Sequence, residues 1–311
     1  MYEKWKGVHT RCAFNMIQEL IPLTRPRTLA AALGPTILGA AFSYYAFGAA
    51  QGTGLAIFHT VLIFLAVVTA QIVANLWNEY KDFKSGLDAG QKVGNAGSIT
   101  RGVITPELII TMIKVLMFVP IIIGLYLSTT ITWYYIPVGF LCILISFLYS
   151  GGPKPISRTP FGEISSGIAM GFTIVLITGY AWIRELSLAL LIPAIPSTLL
   201  VGSIMLTNNI RDIRNDESHG RHTLPIMLGR ERALSLMSIS YIFNFIWIIA
   251  WIIVGHMTWF ALLAFLAAPL AFKTIHTLST NTDEFQLDKA MGTTAGAAMI
   301  YQLMWAIGLI M

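Results

Sequence analysis

Two short stretches of the chain place side-chain oxygens where they can hold one ligand. The first reads Asn75-Leu-Trp-Asn78-Glu79-Tyr80-Lys81-Asp82-Phe-Lys84-Ser-Gly86-Leu-Asp88. On a helix that runs to Asp82, residues Asn75, Asn78 and Asp82 recur at i, i+3 and i+7 and share one face. Asp88 follows after Gly86, which lets the chain fold back. The second reads Asn208-Asn209-Ile-Arg211-Asp212-Ile-Arg214-Asn215-Asp216-Glu217-Ser-His-Gly220-Arg221. Here Asn208, Asp212 and Asp216 recur at i, i+4 and i+8, again on one face. Carboxylates this dense repel one another unless a cation sits among them. Asp and Asn oxygens suit a hard cation such as Mg2+, which keeps waters and phosphate oxygens as its other ligands. The interleaved Arg and Lys then serve as clamps on a polyanion. The residues therefore point to a phosphate-bearing substrate held through Mg2+ between two acidic motifs.

The elements that must position these motifs are set by an uneven distribution of charge. Of the 311 residues, 56% are hydrophobic and 11% charged, against about 25% charged in an ordinary soluble domain. That excludes a soluble globular enzyme, a disordered protein and a secreted disulfide scaffold. Residues 28–78, 115–153, 164–183, 186–210, 233–272 and 290–311 contain no Asp, Glu, Lys or Arg. A spanning helix needs about 20 apolar residues. The three long runs each hold two such lengths, broken at Gly48–Gly54, Ser128–Thr132 and Gly255–Thr258. The remaining three hold one each. The third of these spans, the first in the 115–153 run, starts near Thr105–Pro106, with Pro in the tolerated first turn. It carries Glu107 and Lys114 in its first half. The expectation is an all-α integral membrane protein of nine transmembrane helices.

The net charge of +5 is an orientation signal rather than a nucleic-acid footprint, because Lys and Arg collect in cytoplasmic loops. With a cytoplasmic N-terminus, nine spans put 18 of the 20 Lys and Arg inside, Arg184 outside and Lys114 within the third span. The C-terminus then lies outside. Spans two and six run inward and bring their motifs to the same surface, where the partial negative charge at each helix end adds to the carboxylates. Matched motifs on spans two and six suggest an internal duplication. Residues 1–27 form a cytoplasmic or interfacial segment, and 28–311 one transmembrane domain. Trp5, Cys12, Met16, Ile17, Leu20 and Ile21 recur about once per helical turn; an amphipathic helix on the inner leaflet and a frayed terminus both fit. Residues 1–24 lack the apolar centre of a signal peptide. Cys12 and Cys142 read as free thiols. The six histidines show no metal spacing, with His219 and His222 in the second motif loop.

At these motifs the chain resembles the UbiA-type intramembrane prenyltransferases. Their signature appears as Asn78 to Asp82 with Asp88, and Asp212 to Asp216. Further stretches resemble the MenA-type branch. They are Thr24-Arg25-Pro26-Arg27-Thr28, Tyr149-Ser-Gly-Gly-Pro-Lys154-Pro-Ile, Thr159-Pro-Phe-Gly-Glu163, Asn208-Asn209-Ile-Arg211-Asp212 and Gly220-Arg-His-Thr-Leu. The wide gap between Asp82 and Asp88 also resembles that branch. Glu79 stands where many members have Asp and is set aside as a primary ligand.

The resemblance, which runs from residue 20 to the end, implies a nine-helix bundle around a central cavity capped by the inner loops. It implies transfer of a polyprenyl chain from its diphosphate to an aromatic acceptor, 1,4-dihydroxy-2-naphthoate, whose carboxylate is lost in menaquinone formation. Mg2+ would be held by Asn78, Asp82, Asp88, Asp212 and Asp216, with Asp82 and Asp212 catalytic. Arg211, Arg214, Arg221, Arg101 and Lys84 are candidates for the diphosphate. Tyr149 and Lys154 are the catalytic candidates at the acceptor, and Asn75, Asn208, Asn209 and Tyr80 the remaining substrate contacts. The implied location is the cell membrane, with the active-site loops cytoplasmic and no nucleic-acid partner. Oligomeric state is not encoded in any motif. A UbiA-type enzyme for 4-hydroxybenzoate or homogentisate, and a transport or lipid-binding protein, stay open as alternatives.

Overall fold

The computed structural model describes residues 20–86 and 98–311, and every regular element among them is helical. Eight helices are long and apolar enough to cross a membrane. In chain order they are α1 (Ala30–Phe47), α2 (Thr53–Ser85), α3 (Pro106–Thr130), α5 (Gly162–Ile183), α6 (Leu188–Ser218), α7 (Arg230–Ile253), α8 (Trp259–Thr280) and α9 (Glu284–Ile310). Between α3 and α5 lies a shorter apolar helix, α4 (Tyr135–Ser150). Its 16 residues reach about 24 Å. The nine expected helices are thus present among the described residues, eight of them long enough to span and one shorter, and the chain is a multi-pass membrane protein.

The breaks follow local chemistry. Gly48 and Gly52, both at positive φ, separate α1 from α2, and Gly255 ends the α7 turn. Thr105 caps α3 by accepting from Leu108 N at 3.3 Å, with Pro106 in the first turn. The α3–α4 break falls later than Ser128–Thr132, at Ile131–Tyr134. The hydroxyls of Ser128, Thr129 and Thr130 turn back onto the carbonyls of Leu125 and Tyr126, at 2.7–2.9 Å. Such back-bonding satisfies polar side chains within a helix and lets it continue. The amphipathic reading of the N-terminal segment falls mostly outside the described residues.

Helices in lipid gain little from apolar burial, so close packing of small residues carries their association. α1 and α9 form the centre, with Ala31, Ala32, Ala290, Ala297 and Ala298 buried between neighbours and Tyr301 and Trp305 filling the interior. Gly167 and Gly171 let α5 lie against α6; a methyl at Gly171 would come within 2.5 Å of Ser197 O. Buried hydroxyls cross-link the centre. Ser197 Oγ donates to Gln302 Oε1 at 2.9 Å, and Thr207 and Thr294 share a 2.9 Å bond. By contrast α3, α4 and α7 expose Phe118, Ile122, Phe140, Ile239 and Ile246, the apolar outer faces that a bilayer requires.

Candidate active site

Hydrogen bonds gather the C-terminal ends of α2, α4 and α6 and the N-terminal ends of α5 and α9 at one face. α2 runs unbroken through Asn75, Asn78 and Asp82 of the first motif and is capped by Gly86 at φ 74°. Its polar stripe is held from several sides. Asn75 Nδ2 donates to Thr24 O at 2.9 Å, and Gln71 Nε2 to Thr28 O at 2.6 Å, fastening the segment before α1. Ser150 Oγ, the last residue of α4, donates to Asn78 Oδ1 at 2.8 Å. Trp77 Nε1 donates to Phe147 O at 3.0 Å. Glu79 is buried and accepts from Ser98 N at 3.1 Å. Setting Glu79 aside as a ligand is consistent with this, since its carboxylate anchors the returning chain.

The end of α6 is built around Arg211. Its Nε and Nη2 donate to the two oxygens of Asp212, both at 2.7 Å. Nη2 also donates to Asn208 Oδ1 and Nη1 to Asp288 Oδ1, each at 2.9 Å. This forked geometry is the strong form of an Arg–carboxylate pair. Asp216, one turn on, is 2% exposed. Arg221 meets it from the following loop: Nη1 lies 3.3 Å from Asp216 Oδ1, and Nη2 donates to Asp82 Oδ1 at 2.9 Å. One guanidinium therefore joins the two motifs across 139 residues of sequence. Gly220, at φ 67°, makes the turn that brings Arg221 back. Arg221 N donates to Asp216 O, and His222 N to Arg158 O, each at 3.0 Å.

Beside these groups lies a cavity of about 300 Å³ between α2, α3, α4, α5 and α6. Asn75, Asn78, Tyr149, Ser146, Asn208, Gln71 and Arg25 line it toward the motif face. Ile63, Ala66, Val67, Leu127, Val138, Ile174 and Ile177 line its apolar length, with Tyr135 among them. The Tyr149 hydroxyl donates to the thioether of Met205 at 3.0 Å, a weak acceptor. The arrangement suits a ligand with a long apolar body and a strongly anionic head.

The candidate residues divide into three groups. Asn75, Asn78, Tyr149 and Asn208 line the cavity, and Asp82, Asp212, Asp216, Arg211 and Arg221 meet beside it. Others stand apart. Asn209 is buried behind the cavity wall and donates to Glu163 Oε1 at 2.7 Å. Tyr80 stacks on Trp77 with ring centres 5.7 Å apart, and Lys84 Nζ lies 5.3 Å over the Tyr80 ring. Arg214 is exposed and lines a separate groove with Glu217 and Arg230. Lys154 is exposed on the loop after α4. Arg101 is exposed, and its Nη2 donates to Ser98 Oγ at 3.3 Å. Asp88 lies outside the described residues. Among the described residues no three of His, Cys, Asp or Glu are grouped as a metal site. Arg221 occupies the approach between Asp82 and Asp216, and Arg211 covers both oxygens of Asp212.

Four residues at the site went unassigned in the sequence reading. Arg25 lines the cavity from a left-handed backbone, φ 52°, a conformation that non-glycine residues adopt at a cost. Ser150 orients Asn78, Glu163 holds Asn209, and Asp288 completes the shell of Arg211. Arg25, Ser150 and Glu163 carried a local signal, inside the stretches that resemble the MenA-type branch; Asp288 carried none.

Residues 32–304 match the model of the UbiA prenyltransferase family. The chain is 35% identical over 303 residues to a 1,4-dihydroxy-2-naphthoate octaprenyltransferase of Bacillus subtilis, covering 95% of this chain and 93% of that one. It is 26% identical to a protein of the same description from Escherichia coli, with 96% and 97% covered. Among solved structures it is similar to an apo UbiA homolog from Aeropyrum pernix, at a TM-score of 0.69 and 18% identity, covering 91% and 96%. It is also similar to a UbiA homolog from Archaeoglobus fulgidus bound to GPP and Mg2+, at a TM-score of 0.61 and 16% identity, covering 92% and 98%.

Proposed function

The chain belongs to the UbiA prenyltransferase family, and from that premise we propose that it transfers a polyprenyl group from a polyprenyl diphosphate to 1,4-dihydroxy-2-naphthoate. The acceptor carboxylate is lost in the transfer, a step of menaquinone formation. The relatives of that description, matched over nearly their whole length, support this acceptor. The apolar length of the cavity takes the prenyl tail, and its polar end places the diphosphate beside the two motifs.

The residues present fit Mg2+. Asn78, Asp82, Asp212 and Asp216 offer only hard oxygen donors. Asp216 Oδ2 is buried without a hydrogen-bond donor, a condition that calls for a cation. These four would hold the ion, with Asp88 proposed as a fifth from its place in the motif. When bound, Mg2+ offsets the charge that builds on the departing diphosphate.

The chain's own side chains do the rest. Arg221 presents a planar fork that matches phosphate oxygens, and Arg211 holds Asp212 in place beside it. The apolar walls keep water away from the allylic cation as the C–O bond ionises. Tyr149, whose hydroxyl donates to a weak thioether acceptor, can turn it to an acceptor hydroxyl from its place on the cavity wall. Lys154, on the loop that follows α4, draws the acceptor carboxylate toward that end. The motif face is assigned to the cytoplasm by the inward excess of Lys and Arg.

One observation carries this reading: two acidic motifs far apart in sequence meet at the polar end of an apolar cavity. The test is an acceptor panel. Purified protein with a polyprenyl diphosphate and Mg2+ is expected to prenylate and decarboxylate 1,4-dihydroxy-2-naphthoate in preference to 4-hydroxybenzoate and homogentisate. Preference for either of those would reassign the acceptor.

A further inference from the structure

We propose that Arg221 is a resident cation that closes the gap between the two acidic motifs and keeps a lone divalent ion out, so that metal and diphosphate enter together. This rests on the reading of the site as one for a metal-bound diphosphate.

The two arginines at the site are held very differently. Arg211 uses Nε, Nη1 and Nη2 on four acceptors at 2.7–2.9 Å. It is locked. Arg221 makes one bond of 2.9 Å to Asp82 and one looser contact of 3.3 Å to Asp216. Its Nε is buried without an acceptor, and Asp216 Oδ2 is buried without a donor. Both partners have bonding capacity left over in a largely enclosed setting; the side chains of Arg221, Asp82 and Asp216 are 11%, 14% and 2% exposed. Unsatisfied buried groups of this kind cost free energy. They are the groups that gain when a better-matched ligand arrives.

The consequence for binding order follows from charge. When both are ionised, Asp82 and Asp216 carry two negative charges, and Arg221 cancels one of them. A free divalent ion approaching this pair meets a half-neutralised site with a guanidinium in the way. A diphosphate changes the balance, because it supplies acceptors for Nε and both terminal nitrogens of Arg221. The arginine then turns onto the phosphate, and both carboxylates become open to the ion. The backbone need not move. Arg221 N is tied to Asp216 O and His222 N to Arg158 O, so only the side chain exchanges partners.

Equilibrium dialysis of the full-length, detergent-solubilised protein tests this, with Mn2+ alone in one arm and preformed Mn2+–pyrophosphate in the other. Wild type is expected to bind Mn2+ alone weakly and the complex on the order of tenfold or more tightly. Removing one positive charge in Arg221→Met should strengthen binding of Mn2+ alone on the order of tenfold. It should also erase most of the advantage of the complex. Arg221→Lys, which keeps the charge, should behave as wild type. A merely structural role for Arg221 would weaken both arms in Arg221→Met. Equal affinity of wild type for Mn2+ alone and for the complex overturns the proposal without any variant, as does an Arg221→Met that binds Mn2+ alone no better. Failure of every protein in both arms would instead remove the metal reading of the site, and the proposal with it.

Discussion

The ends of α2 and α6 carry matched motifs, yet the structure supports them unequally. At α6 the acid and its arginine are neighbours in sequence, and Arg211 grips Asp212 with two bonds while reaching Asn208 and Asp288. That end is assembled from its own turn plus α9. At α2 the motif has no arginine of its own in contact. Asp82 meets Arg221 from the loop after α6, and Asn78 is oriented by Ser150 from α4. One end is gripped by an arginine of its own helix, and the other is completed by its neighbours. A duplicated pattern in sequence has become a division of labour. The α6 end is a fixed wall, and the Asp82–Arg221–Asp216 bridge is the joint that a ligand can open.

Substitutions can break that comparison at graded strength. The largest effect belongs to the joint. Asp82→Asn should lower turnover by about 10³-fold, the scale of losing a group that stabilises developing charge. Helix content by circular dichroism should hold, because the replacement is isosteric. Asp212→Asn is expected to fall as far; near-normal turnover in either would refute a shared metal site. Next comes the wall. Asp288→Asn removes one partner of Arg211 and should weaken Mg2+ dependence by about 10- to 100-fold, as loss of an orienting neighbour does. An unchanged Mg2+ titration would show that α9 does not support the site.

Smaller effects lie on the borrowed contacts. Ser150→Ala leaves Asn78 without its donor, a loss of about 1 kcal/mol. Turnover should fall several-fold with no change in acceptor KM. Lys154→Ala is predicted to raise the acceptor KM more than the diphosphate KM, and the opposite ranking would move Lys154 to the diphosphate. Smallest in chemistry is Glu79→Gln. It should lower the melting temperature through its contact with Ser98 while leaving the Mg2+ requirement intact.

What could be read from sequence follows physical range. Helices announce themselves locally, since charge-free runs and glycine breaks act over a few residues; the turn at Gly48–Gly52 is marked by its two glycines, although Trp182 O and Arg184 also fasten it. The α3–α4 break was displaced because three hydroxyls found acceptors within their own helix. Stripes at helical spacing made Asn75, Asn78, Asp82, Asn208, Asp212 and Asp216 visible. Contacts between helices left no such trace. Asp288 lies 77 residues beyond Arg211 with no motif around it. Asn209 sits beside Asn208 in sequence, but a helix turns by about 100° per residue. One side chain therefore lines the cavity while the other pairs with Glu163 behind it.

The most direct test of the account is product formation by purified wild type and Asp82→Asn in liposomes. Each receives a polyprenyl diphosphate, 1,4-dihydroxy-2-naphthoate and Mg2+, and product is followed by mass spectrometry. The account predicts a prenylated, decarboxylated product from wild type that disappears on chelation of Mg2+ and in Asp82→Asn. No product with any aromatic acceptor, or undiminished product from Asp82→Asn, would contradict it.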